Sequence, residues 1–203
     1  SISFTDGYSK DSEHVYFEGE PIEEADSHSF ELIKNSRGYA KDKQYLYFRG
    51  IHIKNINVAT IQHLESNYWA DGHKLYFLKL NEVDPKAILL NQNFDGKFKL
   101  LNKYFVTNVG VFLDGIKTAY DPVTVSVLGA KTIMDSCNGE HFENLLLTDK
   151  NGTYLDNKKL PFQLKTFEGY PGLFQSNRNI LYAFSNNQKG LVQLGLTKQL
   201  KNY

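Results

Sequence analysis

Hydrophobic and polar positions alternate along this chain in short runs separated by turn-forming residues. In Tyr45-Leu46-Tyr47-Phe48-Arg49, Leu46 and Phe48 fall on one face and the other three on the opposite face. Val15 and Phe17 alternate in the same way around Tyr16. This is the period-two signature of a strand. The runs Asp-Ser-Glu, Asp-Lys-Gln, Asp-Gly-His and Asp-Lys-Asn-Gly come just before such alternation. They supply the turn chemistry of a β-hairpin.

The pattern recurs. Tyr8–Gly19 (YSKDSEHVYFEG) aligns without a gap with Tyr39–Gly50 (YAKDKQYLYFRG), sharing Tyr, Lys, Asp, Tyr, Phe and Gly at matched positions. A third copy from Tyr68 keeps the opening aromatic, Asp71 and Tyr76 but loses the final Gly. A fourth from Tyr104 has Thr107 and Phe112 at those positions and regains Gly115. Weaker copies start at Leu146, with Asp149 and Tyr154, and at Phe174, with Asn177 and Tyr182. The chain therefore reads as one repeat domain over residues 1–203, with units of roughly 30 residues. Insertions fall near 91–102 and 129–144, where specialised loops are expected.

A second segment repeats as well: ADSHSFELI from Ala25, INVATIQHL from Ile56, VDPKAILLN from Val83 and YDPVTVSVL from Tyr120. Asp or Asn followed by variable residues, with Pro85 and Pro122 in two copies, predicts a short capped helical turn. Each unit is thus expected to be a hairpin, a tight turn at its Gly, a short third strand such as Ile51–Ile53, and a helical turn leading onward. One hairpin cannot bury its own apolar face, so neighbouring units must stack. A curved stack and a closed one both satisfy that requirement.

The run Asp42-Lys43-Gln44-Tyr45-Leu46-Tyr47, repeated in degenerate form along most of the chain, resembles the DKNYY repeat family of bacterial proteins. The resemblance is strong over Tyr8–Leu64, moderate to Val127 and weak beyond. Asp121-Pro122-Val123-Thr124-Val125 is similar to the family's Asp-Pro-x-Thr-Phe segment, with Val125 in place of Phe. The resemblance implies a bacterial origin and a β-rich repeat architecture, and it transfers no catalytic residue.

Composition narrows the function. Lys plus Arg and Asp plus Glu each number 23, giving zero formal net charge, so long-range attraction to nucleic acid or anionic membrane is not expected. No apolar run approaches a membrane span. The 13 Tyr and 14 Phe against one Trp and one Met favour pleated, half-buried surfaces. A single cysteine, Cys137, forms no intrachain disulfide.

No motif carries catalysis. The six histidines, His14, His28, His52, His63, His73 and His141, lack ligand spacing, so no metal or other cofactor is expected. Cys137 with His141 has no orienting third residue. Asp149, Asn151 and Asp156 superficially suggest a calcium loop but have no closing Glu, and turn chemistry accounts for them. The repeated aromatics are expected to pack between units, Trp69 being the exception because it stands where earlier copies have Ser9 and Ala40.

The expectation is a non-enzymatic protein-binding module, most concretely an immunity protein that neutralises a cognate toxin such as a nuclease. Glu18, Glu20, Glu23, Glu24 and Asp26 would dock a cationic partner, with Trp69 as a further contact. An immunity protein to a nuclease would work in the bacterial cytoplasm. The alternative is an exported envelope or surface repeat protein whose leader was removed before Ser1, placing it in the periplasm or envelope.

Overall fold

In the computed structural model, residues 2–3, 6–34, 36, 38–80, 85–135, 139–185 and 190–196 are described, the side chains of 2–3, 133–135 and 139–143 excepted. The described residues form strands and turns, arranged as six four-stranded sheets taken in chain order. The first sheet is β1 (Ile2–Ser3), β2 (Tyr8–Lys10), β3 (Val15–Phe17) and β4 (Glu20–Pro21). The second is β5 (Glu31–Leu32), β6 (Tyr39–Lys41), β7 (Leu46–Phe48) and β8 (Ile51–His52). The third is β9 (Ile61–Glu65), β10 (Tyr68–Asp71), β11 (Lys74–Lys79) and β12 (Lys86–Asn91).

The fourth sheet is β13 (Phe98–Leu101), β14 (Tyr104–Thr107), β15 (Gly110–Leu113) and β16 (Ile116–Lys117). The fifth is β17 (Ser126–Asp135), β18 (Gly139–Asp149), β19 (Gly152–Leu155) and β20 (Lys158–Lys159). The sixth is β21 (Leu164–Thr166), β22 (Leu173–Ser176), β23 (Ile180–Phe184) and β24 (Leu191–Leu196). Residues 1–98 with 107–116 form one compact unit, and 99–106 with 117–203 form another.

Each repeat is therefore a four-stranded meander whose middle two strands are the expected hairpin. Tyr39 pairs with Phe48 and Ala40 with Tyr47, as Tyr8 pairs with Phe17 and Ser9 with Tyr16. The residue before Gly and the Gly itself both take positive φ at Glu18 (50°) and Gly19 (91°), Arg49 (46°) and Gly50 (78°), and Asp114 (48°) and Gly115 (75°). Two consecutive left-handed residues make the turn that matches the twist of a two-residue hairpin loop, which is why Gly recurs there.

Two expectations need correction. The segments after the short fourth strand contain no helix among the described residues. They make one hydrogen-bonded turn, Ser29 N–H to Asp26 carbonyl at 3.2 Å or Val125 N–H to Asp121 carbonyl at 3.0 Å. The chain then enters the opening strand of the next sheet, β5 or β17, because β-branched and aromatic residues follow at once. In the segment with Pro85, the described residues run directly into β12, the last strand of the third sheet.

The insertions are also not free loops. Residues 129–135 and 139–144 lengthen β17 and β18 into paired antiparallel strands of 10 and 11 residues, and Cys137 lies outside the described residues. Within 91–102, Phe94 is fully buried and its N–H donates to the His73 carbonyl at 2.8 Å, and the segment ends in β13.

Buried clusters lie between the first and second, the second and third, and the fifth and sixth sheets. In the first unit, Tyr8 and Val15 of the first sheet meet Ala40 and Tyr47 of the second around Phe30. The opposite face of the second sheet, with Tyr39 and Leu46, meets Trp69 and Tyr76 of the third. In the second unit, Leu146 of the fifth sheet meets Phe174 and Tyr182 of the sixth. A sheet so sandwiched buries both faces, which is how stacked repeats gain a continuous core from units too small to have their own.

Candidate functional site

The repeated polar residues build two devices. The first holds each hairpin turn. Asp42 Oδ1 accepts from the N–H groups of Gln44 and Tyr45, both at 2.7 Å, while Oδ2 accepts from the Tyr47 hydroxyl at 2.8 Å and the Asp26 N–H at 2.9 Å. The adjacent Lys43 donates its N–H to Ser29 Oγ at 3.1 Å and pairs through Nζ with Asp26 at 3.0 Å.

The fifth repeat reproduces this arrangement. Asp149 accepts from Asn151, Gly152 and Asp121 N–H groups, and Lys150 donates to Thr124 Oγ1 and pairs with Asp121 at 2.7 Å. The Asp-Lys pair thus ties a hairpin to the turn that precedes its sheet. A hydrogen bond from Ser29, together with Lys43, holds the Asp26 carboxyl well below the usual range, at about 2. Lys150 and Thr124 hold Asp121 at about 2 in the same way.

The second device joins a repeat to the next. The Tyr8 hydroxyl donates to the Gly38 carbonyl at 3.2 Å and accepts from the Gly50 N–H at 2.9 Å. Tyr39 donates to Asn67 Oδ1 at 3.1 Å, Tyr68 accepts from the Gly115 N–H at 3.0 Å, and Tyr104 donates to Asn157 Oδ1 at 2.8 Å. Burial pushes the Tyr8 and Tyr39 phenols up to about 12. An aromatic ring reinforces two of these joints: a Cβ on Gly50 would lie 2.8 Å from Phe17, and one on Gly115 2.5 Å from Phe77.

A family model for the DKNYY family matches residues 8–182. The chain belongs to the DKNYY family. No curated protein and no solved structure matches it. The DKNYY run itself is accounted for by the fold: its Asp and Lys form the turn lock, and its second Tyr, Tyr47, donates to the Asp.

The expected docking residues divide. Glu18, Glu20, Glu23 and Glu24 are exposed in the DKNYY chain's first repeat and the segment after it. Glu24 meets His52 Nδ1 at 2.6 Å, and no ion pair among the described residues engages Glu18, Glu20 or Glu23. Asp26 belongs to the turn lock instead. Trp69 is fully buried between the second and third sheets, 5.0 Å from Tyr39 and 4.7 Å from His63 by ring centroids. It cannot be a surface contact, because it occupies the strand position that points back at the preceding sheet, as Ala40 does.

The sixth copy is shifted by one residue from the expected register. Ser176, not Asn177, takes the role of Asp42: its Oγ accepts from the Arg178 and Ile180 N–H groups at 3.3 and 3.2 Å, across a turn one residue longer. Histidines find local partners, His52 stacking on Tyr45 and His73 Nδ1 lying 3.1 Å from the Phe94 carbonyl. Among the described residues no group of three His, Cys, Asp or Glu could hold a metal, and no helix is long and apolar enough to cross a membrane.

Sequence reasoning passed over a cleft of about 510 Å³ in the second unit, between β17 and the Phe167–Leu173 loop. Phe167 and Tyr170 stack at 5.3 Å and 25°, and Tyr170 is 48% exposed. Turns from Tyr170 N–H to the Phe167 carbonyl (3.2 Å) and from Leu173 N–H to the Tyr170 carbonyl (3.1 Å) fix the loop. The available signal was Phe-Glu-Gly-Tyr-Pro-Gly, a turn-rich run with aromatics outside the repeat register.

Proposed function

We propose that this chain is a non-enzymatic protein-binding module, most concretely a bacterial immunity protein that binds and neutralises a cationic toxin domain such as a nuclease. The observation that carries the reading is the division of labour among polar residues. The repeated Asp, Lys and Tyr side chains are consumed by turn locks and inter-repeat joints, whereas Glu18, Glu20, Glu23 and Glu24 stand exposed in the first repeat and the segment after it. Exposed carboxylates of one sign accelerate encounter with a basic partner and discourage acidic ones.

The test is affinity capture from the native bacterium with this chain as bait, followed by mass spectrometry and by the Glu23→Lys, Glu24→Lys double variant. One stoichiometric basic partner, lost in the double variant, supports the reading. Unchanged affinity of that partner for the double variant overturns it.

A second reading, an exported envelope or surface protein that presents its repeats to glycan, draws on the stacked Phe167–Tyr170 pair. Half-exposed aromatic faces bind sugar rings by stacking. Glycan-array binding that disappears in Tyr170→Ala supports it, and an array without signal counts against it.

A further inference from the structure

The cleft between β17 and the Phe167–Leu173 loop has a lining that selects a particular chemistry. Its volume of about 510 Å³ suits a small molecule. Phe167, Tyr170, Phe174 and Phe184 supply aromatic surface, and Glu168 is the one charged side chain that lines it among the described residues. Lys, Arg and His are absent from that lining. Glu168 is exposed, and no ion pair or hydrogen bond among the described residues engages its carboxylate.

The aromatic wall is held in place by backbone geometry. The Phe167 N–H donates to the Leu173 carbonyl at 2.9 Å and closes the loop at its ends, while the two tighter turns meet at Tyr170. The stacked Phe167 and Tyr170 rings stand on this frame, with Tyr170 half-exposed. Phe174 and Phe184 meet edge-on at 5.6 Å and 81°. From β17, a Cβ on Gly129 would lie 2.5 Å from Phe174, so only glycine lets that backbone pass without displacing the ring. A wall fixed in this way has little freedom to lose when a ligand binds.

We propose that this cleft binds a small quaternary ammonium compound, of which choline is the type. Such a group spreads its positive charge over methyl groups and carries no N–H, so it needs aromatic faces and one counter-charge rather than a set of acceptors. The Phe167–Tyr170 pair and the Glu168 carboxylate supply both. A primary ammonium or a guanidinium is matched less well, because each of its N–H groups needs an acceptor. The lining side chains offer one carboxylate and the hydroxyls of Thr166 and Tyr170. A neutral sugar could stack on the same rings but would gain nothing from the charge of Glu168. An organic anion would be repelled by it. The site is separate from Glu18, Glu20, Glu23 and Glu24, which belong to the other compact unit.

The experiment titrates the full chain, labelled with nitrogen-15, with choline chloride and with dimethylbutanol, the uncharged isostere that has carbon in place of nitrogen. Choline is expected to shift the Gly169, Tyr170 and Gly172 amide resonances, with dimethylbutanol binding about tenfold more weakly. Glu168→Gln should weaken choline about fivefold and leave dimethylbutanol unchanged, and Tyr170→Ala should weaken both, choline the more. Both residues are exposed, and unchanged amide resonances outside the loop report that the variants stay folded. Equal binding of choline and dimethylbutanol, or undiminished choline binding in Glu168→Gln, overturns the cation site. No shift at the loop amides with either compound overturns the proposal and leaves the glycan reading to its own array. Cosedimentation with phosphatidylcholine vesicles that choline competes away supports the quaternary ammonium group and overturns a free solute as its source. Absence of cosedimentation alongside a choline response supports the free solute.

Discussion

The first two repeats carry the same hairpin signature, yet they are used differently. In the second repeat Tyr47 and Asp42 are buried and both sheet faces are covered, one by the first sheet and one by the third. In the first repeat the equivalent Tyr16 and Asp11 are only half-buried, and one face carries Ser9. Asp11 still holds its turn, accepting from the Glu13 and His14 N–H groups at 2.9 and 2.7 Å. Identical local chemistry thus contributes differently according to what the neighbouring sheet removes from water.

Matched substitutions measure that difference. The largest effect is expected for Tyr47→Ala, which empties a fully buried site and should cost about 4 kcal/mol by urea unfolding, while Tyr16→Ala should lower stability far less. Equal losses would show that the two faces are equally covered. Asp42→Ala leaves four donors without their acceptor and should cost about 3 kcal/mol, with a clearly smaller loss for Asp11→Ala.

Gly50→Ala combines left-handed strain with a 2.8 Å approach to Phe17 and should cost about 3 kcal/mol. Gly19→Ala carries the strain alone, about 1 kcal/mol. Comparable values would mean that the space over Gly19 is filled. Tyr8→Phe removes one acceptor and one donor at a single joint, an expected loss of about 1.5 kcal/mol. Faster hydrogen exchange at the Gly50 amide would localise the effect.

The smallest effect concerns acid. Asp26 and Asp121 have folded-state pKa values of about 2, below their ordinary value of 3.8. The unfolded chain therefore binds protons first as pH falls, and the stability these groups contribute is complete above about pH 5 and declines toward pH 2. Urea midpoints measured from pH 6 to pH 2.5 should fall less steeply for Asp121→Asn than for the unaltered chain. Parallel curves would mean that the Lys150–Asp121 pair contributes nothing to the acid response.

The hairpins were legible because alternation and Asp-rich turns are local properties. The opening strand of each sheet was not, since β5 has only Glu31 and Leu32 and pairs through its backbone. The shifted register of the sixth copy was hidden because one extra turn residue, spanned by Ser176, preserves the spacing to Tyr182 only when Asn177 is read in its place. The cap signals at Asp26 and Asp121 were correct chemistry for a single turn. They did not extend to a helix, because a helical nucleus needs further residues of helical character and the chain turns to strand formers at once.

By itself the sequence determined that this is a β-rich repeat chain of the DKNYY family, with hairpins in register over the first five copies. Only the tertiary structure decided which of the repeated residues meet. It assigned Asp and Lys to the turn lock, Tyr to the joint with the following repeat, Trp69 to the core, and Glu18, Glu20, Glu23 and Glu24 to the surface. The physical reason is that period and turn chemistry are written within a repeat, whereas burial belongs to the pair of sheets that close over a face. A strand carries no mark of whether its outward residue will meet water or the next sheet.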